Sequence, residues 1–201
     1  MIITFEGGEG AGKTTHAVRL CSHLTAKGLP WLSFREPGGS LFSEKVRSLF
    51  LEEGLDVMTE LLLVLASRRQ NIKEIIAPGL DQGRILVIDR FIDSTLVYQG
   101  IVGGLGYETV RRMMEATGTW IEPDLTFVMD VDPNLGLKRI EPGDKFERRG
   151  IDFHLTLRKA FLDLAKDPRH RVIDSEQGRE SVAATIISLT DDFLARRGTG
   201  L

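Results

Sequence analysis

Apolar residues in this chain fall into short runs that alternate with longer segments of helical periodicity. Five short runs have the length and composition of buried strands, at residues 2–5, 31–34, 85–88, 125–129 and 172–173. The segments between them repeat apolar positions three or four residues apart, which is typical of helices with one buried face. Alternating strands and helices predict a five-stranded, mainly parallel sheet that is covered by helices on both faces.

The longest helical pattern covers residues 57–76 and is expected to end at Pro78-Gly79, because neither residue continues a helix readily. Two arginines, Arg68 and Arg69, interrupt its apolar stripe. An arginine on a helix is usually solvated, but one beside a leucine-rich stripe can also reach over a pocket wall. The stripe itself fits burial in the core and contact with a second copy of the chain equally well.

The composition is that of an ordinary globular domain. The 201 residues are 42% hydrophobic and 27% charged, and the formal net charge of −3 gives no global basic field for nucleic acid. No apolar run is long enough to span a membrane, and no signal peptide precedes the first strand. We therefore expect a single domain over residues 1–201 in the cytoplasm, with neither nucleic-acid nor membrane partners.

A glycine-rich run lies between the first strand and the first helical pattern: Gly7-Gly8-Glu9-Gly10-Ala11-Gly12-Lys13-Thr14. Strand, glycine loop and helix in this order form a P-loop, in which backbone N–H groups and the helix N-terminus bind phosphate. A flexible glycine turn is the other interpretation, which the flanking strand and helix disfavour. The residues predicted to bind ATP here are Gly7, Gly8, Glu9, Gly10, Ala11, Gly12, Lys13, Thr14 and Thr15. Lys13 would reach the β- and γ-phosphates, and the Thr14 hydroxyl would ligate Mg²⁺.

Two predicted strands end in a carboxylate. Asp89 follows the strand at residues 85–88 and precedes Arg90, and Asp130 follows the strand at 125–129. In P-loop enzymes such an aspartate holds Mg²⁺, and a neighbouring arginine can clamp phosphate. Spacing alone does not choose between them, and the adjacent Arg90 favours Asp89. A strand-end aspartate that caps the next turn is the plainer interpretation of both.

Two further segments have polar patterns that allow two interpretations. Thr95, Tyr98 and Gln99 share one face of a predicted helix, which fits either contact with a nucleobase or a half-buried surface. A charged segment bracketed by glycines, at residues 143–150, fits either a solvated loop or part of a lid. Such a short lid, at roughly 140–150, would close over a transferring phosphoryl group.

With these segments in place, the chain resembles the thymidylate kinase family from end to end, and thus a P-loop nucleotide-kinase fold. The P-loop with Phe5 and Glu6 before it carries the most specific part of the resemblance. The other matching stretches are Arg35-Glu36-Pro37-Gly38-Gly39, Asp89-Arg90-Phe91, Tyr98-Gln99-Gly100, Pro123-Asp124-Leu125-Thr126, Phe146-Glu147 and Phe153-His154. The resemblance implies transfer of the ATP γ-phosphoryl group to the 5′-phosphate of dTMP, giving dTDP, with Mg²⁺ as cofactor and a homodimer as the assembly.

The resemblance also implies roles for residues around the phosphate and sugar of the acceptor. Glu9 resembles a carboxylate that contacts the sugar, and Tyr98 a ring beneath the sugar that disfavours a 2′-hydroxyl. Arg47 and Arg90 match arginines that hold the acceptor phosphate. The bond between Glu36 and Pro37 resembles one that is often cis and fixes the acceptor loop.

Further implied roles concern the two bases. Arg68 matches an arginine that hydrogen-bonds the thymine carbonyl, and Thr95 and Gln99 match polar positions at the edge of the base. On the other side of the cleft, Arg139 matches an arginine that stacks on adenine. The loop at residues 174–178 matches the segment beside that adenine.

This chain departs from the family pattern at two places. Val64 stands where an aromatic ring usually stacks on thymine, and losing that stack would weaken base binding by ~1 kcal/mol. The predicted lid is also short. In relatives with a glycine at the Gly10 position a lid cation supports phosphoryl transfer, so Lys145, Arg148 or Arg149 is expected to act here together with Lys13, Asp89 and Arg90.

Two alternatives remain at this stage. The same fold could phosphorylate another acceptor, such as dUMP or a nucleoside. A module that binds or hydrolyses NTP without any acceptor belongs to a different class, and the Asp89-Arg90 pair and the polar face around Tyr98 argue against it.

Overall fold

A computed structural model describes residues 1–141 and 143–198 of the chain. Its centre is one five-stranded sheet in the order β2-β3-β1-β4-β5, and every pairing in it is parallel. The strands are β1 (Ile2–Gly7), β2 (Trp31–Arg35), β3 (Ile85–Asp89), β4 (Leu125–Asp130) and β5 (His170–Asp174). The five predicted strands are thereby confirmed, and the predicted mainly parallel sheet is wholly parallel.

Helices follow the strands on both faces of the sheet. They are α1 (Lys13–Ala26), α2 (Leu41–Phe50), α3 (Val57–Asn71), α4 (Ala77–Asp81), α5 (Ile92–Thr95), α6 (Tyr107–Ala116), α7 (Pro133–Leu137), α8 (Ile151–Leu164) and α9 (Arg179–Arg196). Two π-helical turns, Ile72–Ile76 and Leu96–Val102, continue α3 and α5. Among the described residues no helix is long and apolar enough to cross a bilayer.

The core forms because successive strand residues point to opposite faces of the sheet. On β3, Ile85 and Val87 pack with α1 and α9, whereas Leu86 and Ile88 pack with α3 and α6. A smaller cluster joins β4 to α8 and to the π-helical turn at 96–102. Both faces of the sheet are therefore buried, as the continuous apolar runs predicted.

Contrary to the expectation, Pro78 and Gly79 do not end the long helical pattern that begins at residue 57. The chain runs from α3 through a π-helical turn into α4, and Pro78 lies in the first turn of α4. A proline there leaves no hydrogen bond unmade. A Cβ on Gly79 would lie 2.8 Å from Leu86 Cδ2, so glycine lets this helix approach the sheet closely.

The register of the strands brings the predicted chemistry to one edge of the sheet. Phe5 of β1 and Arg35 of β2 both lie level with Asp89 of β3. The P-loop, the loop after β2 and the Asp89-Arg90 pair therefore leave the sheet side by side. The predicted lid lies over this edge, and Pro142 within it falls outside the described residues.

Candidate active site

A cleft of about 480 Å³ opens at the carboxyl ends of the strands, where parallel α/β sheets bind their ligands. Most of the predicted site residues line it. They are Glu9, Gly10, Ala11, Gly12, Lys13, Thr14, Thr15, Glu36, Pro37, Arg47, Val64, Arg68, Asp89, Arg90, Thr95, Tyr98, Gln99 and Arg139. Residues 70 or more positions apart in sequence thus meet in one cavity.

The P-loop forms the floor of one side of the cleft. Gly10 has a φ of +70°, and a Cβ there would overlap the carbonyl oxygen of Gly136 at 1.9 Å, so only glycine fits. The buried Lys13 begins α1 and donates from Nζ to the Gly8 carbonyl at 2.6 Å. Burial, and then the positive charge of Arg90, lower the pKa of Lys13. The Lys13 side chain is therefore held inside the loop by the Gly8 carbonyl, at the place where a phosphate would bind.

The two candidate strand-end carboxylates have different partners. The Thr14 hydroxyl donates to the Asp89 carboxylate directly beside the P-loop. Asp130 instead accepts two hydrogen bonds from Arg158, at 2.7 and 2.9 Å. Asp89 is therefore the carboxylate that contacts the P-loop hydroxyl. Asp130, at the end of β4, instead forms an ion pair with Arg158 of α8.

Arg90 is the centre of a polar cluster between the P-loop and the acceptor side. Its backbone has a φ of +67°, which is uncommon for a residue with a side chain and often marks a functional site. Its guanidinium donates to Glu9 Oε1 at 2.6 Å and to the Tyr98 hydroxyl at 3.2 Å, and Tyr98 donates to the same Glu9 oxygen at 2.7 Å. The three side chains therefore hold one another in place.

The charges in this cluster shift two pKa values in opposite directions. Burial alone would raise the pKa of Glu9, but Arg90 and Lys13 outweigh it and lower that pKa to about 2. Burial opposes the charge of Arg90 as well, yet the Glu9 carboxylate raises the pKa of Arg90 above its ordinary value. Both groups are therefore ionised at neutral pH, and Arg90 carries a permanent positive charge into the cleft.

Glu6 of β1 supports this cluster, although no role had been predicted for it. This buried carboxylate accepts hydrogen bonds from the Phe91 backbone N–H at 2.8 Å and from the Ser94 hydroxyl at 2.5 Å. Burial, and then the Asp93 carboxylate, raise the pKa of Glu6 to about 7. It fixes the chain directly after Arg90. A charged residue inside an otherwise apolar strand was the signal that could have identified it.

On the acceptor side, Arg68 is fully buried beneath the cleft wall. Its Nε donates to Glu36 at 2.6 Å, and its Nη2 donates to the Thr95 hydroxyl at 2.8 Å. Asn71, a residue that sequence reasoning missed, donates to the other Glu36 oxygen at 3.2 Å. These contacts fix α3 to the loop after β2 and to the end of α5.

The loop after β2 is held from its other side by Arg47. The Glu36-Pro37 bond is cis, as the family resemblance implied. Arg47 donates from Nη1 to the Pro37 carbonyl at 2.9 Å. Burial, and then the charge of Arg35, lower the pKa of Arg47. Its guanidinium thus points into the cleft from α2 with no carboxylate paired to it among the described residues.

None of the three predicted lid cations lines the cleft. Lys145 Nζ lies 2.7 Å from Glu60 Oε1, and Arg148 pairs with the exposed Glu53 at 2.5 Å. Arg149 lies over the Phe153 ring at 4.7 Å. Within residues 143–150 the cleft is lined by Asp144, Phe146 and Glu147 instead. A role for these three cations in phosphoryl transfer stays a prediction.

A ring and a buried carboxylate anchor the lid. Phe146 stacks on Phe50 at 5.5 Å and meets the edge of Tyr98 at 5.3 Å. Glu60, another residue that sequence reasoning missed, accepts from Gln99 Nε2 at 3.1 Å as well as from Lys145. The lid therefore rests on the acceptor side.

Val64 and Arg139 lie on opposite walls of the cleft. Val64 lines the acceptor side, four residues before Arg68 on α3. Arg139 donates to the Ser175 carbonyl at 3.0 Å, which places it beside the loop at residues 174–178. The two regions that the resemblance linked to adenine therefore adjoin each other.

Comparisons with known proteins agree with this geometry. A family model described as thymidylate kinase matches residues 5–186. A thymidylate kinase of Magnetococcus marinus is 42% identical over 92% of each chain. One from Symbiobacterium thermophilum is 36% identical, over 100% of this chain and 97% of that protein. The crystal structure of thymidylate kinase from Ehrlichia chaffeensis is 35% identical and superposes with a TM-score of 0.77, covering 94% of this chain and 98% of that one.

Proposed function

This chain belongs to the thymidylate kinase family, and we propose that it transfers the γ-phosphoryl group of ATP to the 5′-phosphate of dTMP, giving dTDP and ADP. The observation that carries the proposal is the composition of one cleft. A P-loop forms one side, and Arg47, Arg90 and Arg68 converge from the other. Two anionic substrates can approach each other only where their charges are neutralised in this way.

The residues of the chain divide the work of the reaction. Lys13 and the P-loop amides bind the phosphates of ATP, and Arg139 stacks on its adenine. Arg47 and Arg90 hold the acceptor phosphate in line with the γ-phosphate. Glu9 and Tyr98 contact the acceptor sugar. Because Glu9, Arg90 and Tyr98 are already fixed by mutual hydrogen bonds, little reorganisation of this cluster accompanies the transfer.

The acceptor base meets the remaining polar residues of the cleft. Arg68 donates to a thymine carbonyl, and Thr95 and Gln99 contact the edge of the ring, with Val64 alongside. The exposed lid residues Arg148 and Arg149 would reach the transferring group only after a rearrangement of the lid, as lids in kinases undergo.

A divalent cation, which we take to be Mg²⁺, fits the donor set beside the P-loop. The Thr14 hydroxyl and the Asp89 carboxylate already adjoin each other there, and hard oxygen donors suit Mg²⁺. The Thr14 hydroxyl and the Asp89 carboxylate would hold the ion. The ion would neutralise charge on the ATP phosphates when bound.

We also propose that the enzyme is cytoplasmic and forms a homodimer. Four large apolar side chains on α2 and α3 are exposed: Leu41, Phe42, Leu49 and Leu62. A second copy of the chain would bury them. Sedimentation of wild type and of L62K would test the assembly, because a charge at this interface should shift a dimer towards monomer.

The function is tested by ADP release from Mg-ATP with one acceptor at a time: dTMP, dUMP, UMP, dCMP and thymidine. We expect dTMP to give the highest kcat/KM. Equal rates with every acceptor would refute the proposal, and ADP release that no acceptor changes would point to an NTP-binding module. A clear preference for dUMP would reassign the acceptor within the same fold.

A further inference from the structure

Gln99 is the one predicted base-edge residue whose side chain is held by a carboxylate in the described part of the chain. It lies in the π-helical turn at 96–102, is 2% exposed, and lines the cleft. Its amide nitrogen donates to Glu60 Oε2 at 3.1 Å. No described residue hydrogen-bonds its carbonyl oxygen.

Glu60 is fixed on its other side by the lid. Its second oxygen, Oε1, lies 2.7 Å from Lys145 Nζ. The Lys145 ammonium also donates to the Glu52 carbonyl at 3.2 Å and lies 5.1 Å from the ring centres of both Phe50 and Phe146. Because the side chains of Glu60 and Lys145 are 11% and 9% exposed, water screens the pair only weakly.

An ionised carboxylate accepts hydrogen bonds but cannot donate them. Glu60 therefore accepts only the NH₂ end of the Gln99 amide, and an amide turned the other way would set two oxygens against each other. The Gln99 carbonyl oxygen is thereby directed away from Glu60 and is available to the cleft as an acceptor.

We infer that Glu60 and Lys145 are positioning residues that orient Gln99 so that it selects a base with a ring N–H. Thymine and uracil carry that N–H between two carbonyls, whereas cytosine has a bare ring nitrogen there. The inference rests on the proposed function of the cleft as a nucleotide acceptor site. It also links base selection to lid docking, because Lys145 reaches Glu60 only from the docked lid.

The test compares kcat/KM for dTMP with kcat/KM for dCMP in wild type and in E60Q. A glutamine at position 60 keeps the shape of the side chain but can also donate, so the Gln99 amide is free to turn. We expect the dTMP-to-dCMP ratio to fall about tenfold, mainly through a higher KM for dTMP, with the KM for ATP unchanged.

The matched control is E53Q. It removes the same charge from the other ion pair between the lid and this side of the cleft, the pair with Arg148, but Glu53 does not touch Gln99. Its dTMP-to-dCMP ratio should equal that of wild type. An unchanged ratio in E60Q, with both acceptors slowed equally, would overturn the inference and leave Glu60 a purely structural residue.

A second variant decides the question if E60Q does not fold. K145M keeps an unbranched side chain beside the stacked rings of Phe50 and Phe146 but removes the charge that fixes Glu60. A lower dTMP-to-dCMP ratio supports the inference. A lower kcat with an unchanged ratio would overturn it and make Lys145 a cation for phosphoryl transfer. Wild type reports on the proposed function separately, because its own preference for dTMP does not depend on either variant.

Discussion

The two sides of the cleft are built in different ways. The part of the donor side that would bind phosphate is formed by one contiguous segment, residues 9–15, at the junction of β1 and α1. The acceptor side is formed by side chains from the loop after β2, from α2, α3 and residues 90–99, and from the lid. A phosphate group common to all nucleotides needs only amides and a charge, whereas one base among several needs side chains with a set orientation.

The largest effect is expected from a substitution on the donor side, which should lower the rate without altering acceptor choice. K13A should lower kcat by about 10³-fold or more with every acceptor, because it removes a charge placed at the transferring group. Steady-state ADP release measures the loss, and thermal unfolding should show an intact fold. K27A, which removes a lysine that directly follows the same helix and pairs with Asp191, is the control and should be fully active. Substantial activity in K13A would refute the role of the P-loop.

On the acceptor side, R68M should affect both stability and substrate binding. It would leave the buried Glu36 carboxylate without its closest ion-pair partner, which we expect to reduce the free energy of unfolding by about 3 kcal/mol. Urea unfolding measures this change. The KM for dTMP should rise while the KM for ATP stays the same. A rise in both would show that the two sides are not independent.

Glu9 joins the two sides, and its effect should depend on pH. The pKa of Glu9 in the folded state, about 2, lies below the ordinary glutamate value of 4.5. The stabilisation is therefore complete above pH 4.5 and is lost as the pH falls towards 2. The difference in unfolding free energy between wild type and E9Q should be largest at neutral pH and smaller at about pH 3. A difference that grows in acid would contradict this assignment.

The smallest effect is expected from a substitution on the acceptor side, which should raise the affinity for dTMP. V64F should tighten dTMP binding about fivefold by restoring a ring beside the base, a gain of about 1 kcal/mol. Calorimetric titration with dTMP measures it, and affinity for ATP should not change. V18F, on an exposed position of α1, should alter neither affinity. Weaker dTMP binding in V64F would mean that the cleft has no room for the ring.

The same contrast explains what could be predicted from the sequence. The strands and the P-loop follow from contiguous patterns, since strand pairing and phosphate binding use the backbone. The helix expected to stop at Pro78-Gly79 continued, because a π-helical turn placed Pro78 where it costs no hydrogen bond. The spacing of apolar residues within one segment does not indicate where a π-helical turn will form.

Contacts between distant side chains were the part that could not be predicted. Glu60 pairs with Gln99 and Lys145 across 39 and 85 positions of sequence, and no local pattern encodes such pairs. A partial signal existed in α3, because Glu60, Val64 and Arg68 are spaced four apart and so share one face. The family resemblance implied that Lys145, Arg148 or Arg149 acts in phosphoryl transfer, and it gave no sign that Lys145 pairs with the Glu60 carboxylate.

The π-helical turn at Leu96–Val102 has an evolutionary consequence. Such a turn takes up one more residue than an α-helical turn of the same hydrogen-bonded span, so it is the form in which a helix stores a single-codon insertion. Losing one codon within the turn would restore ordinary pitch and reorient the residues of the turn itself, while the helix on either side would keep its register. The helix would persist, but Tyr98 and Gln99 would no longer face Glu9 and Glu60. If these two residues bind the acceptor as proposed, one insertion or deletion in this turn would alter acceptor binding while leaving the sheet and the P-loop unchanged.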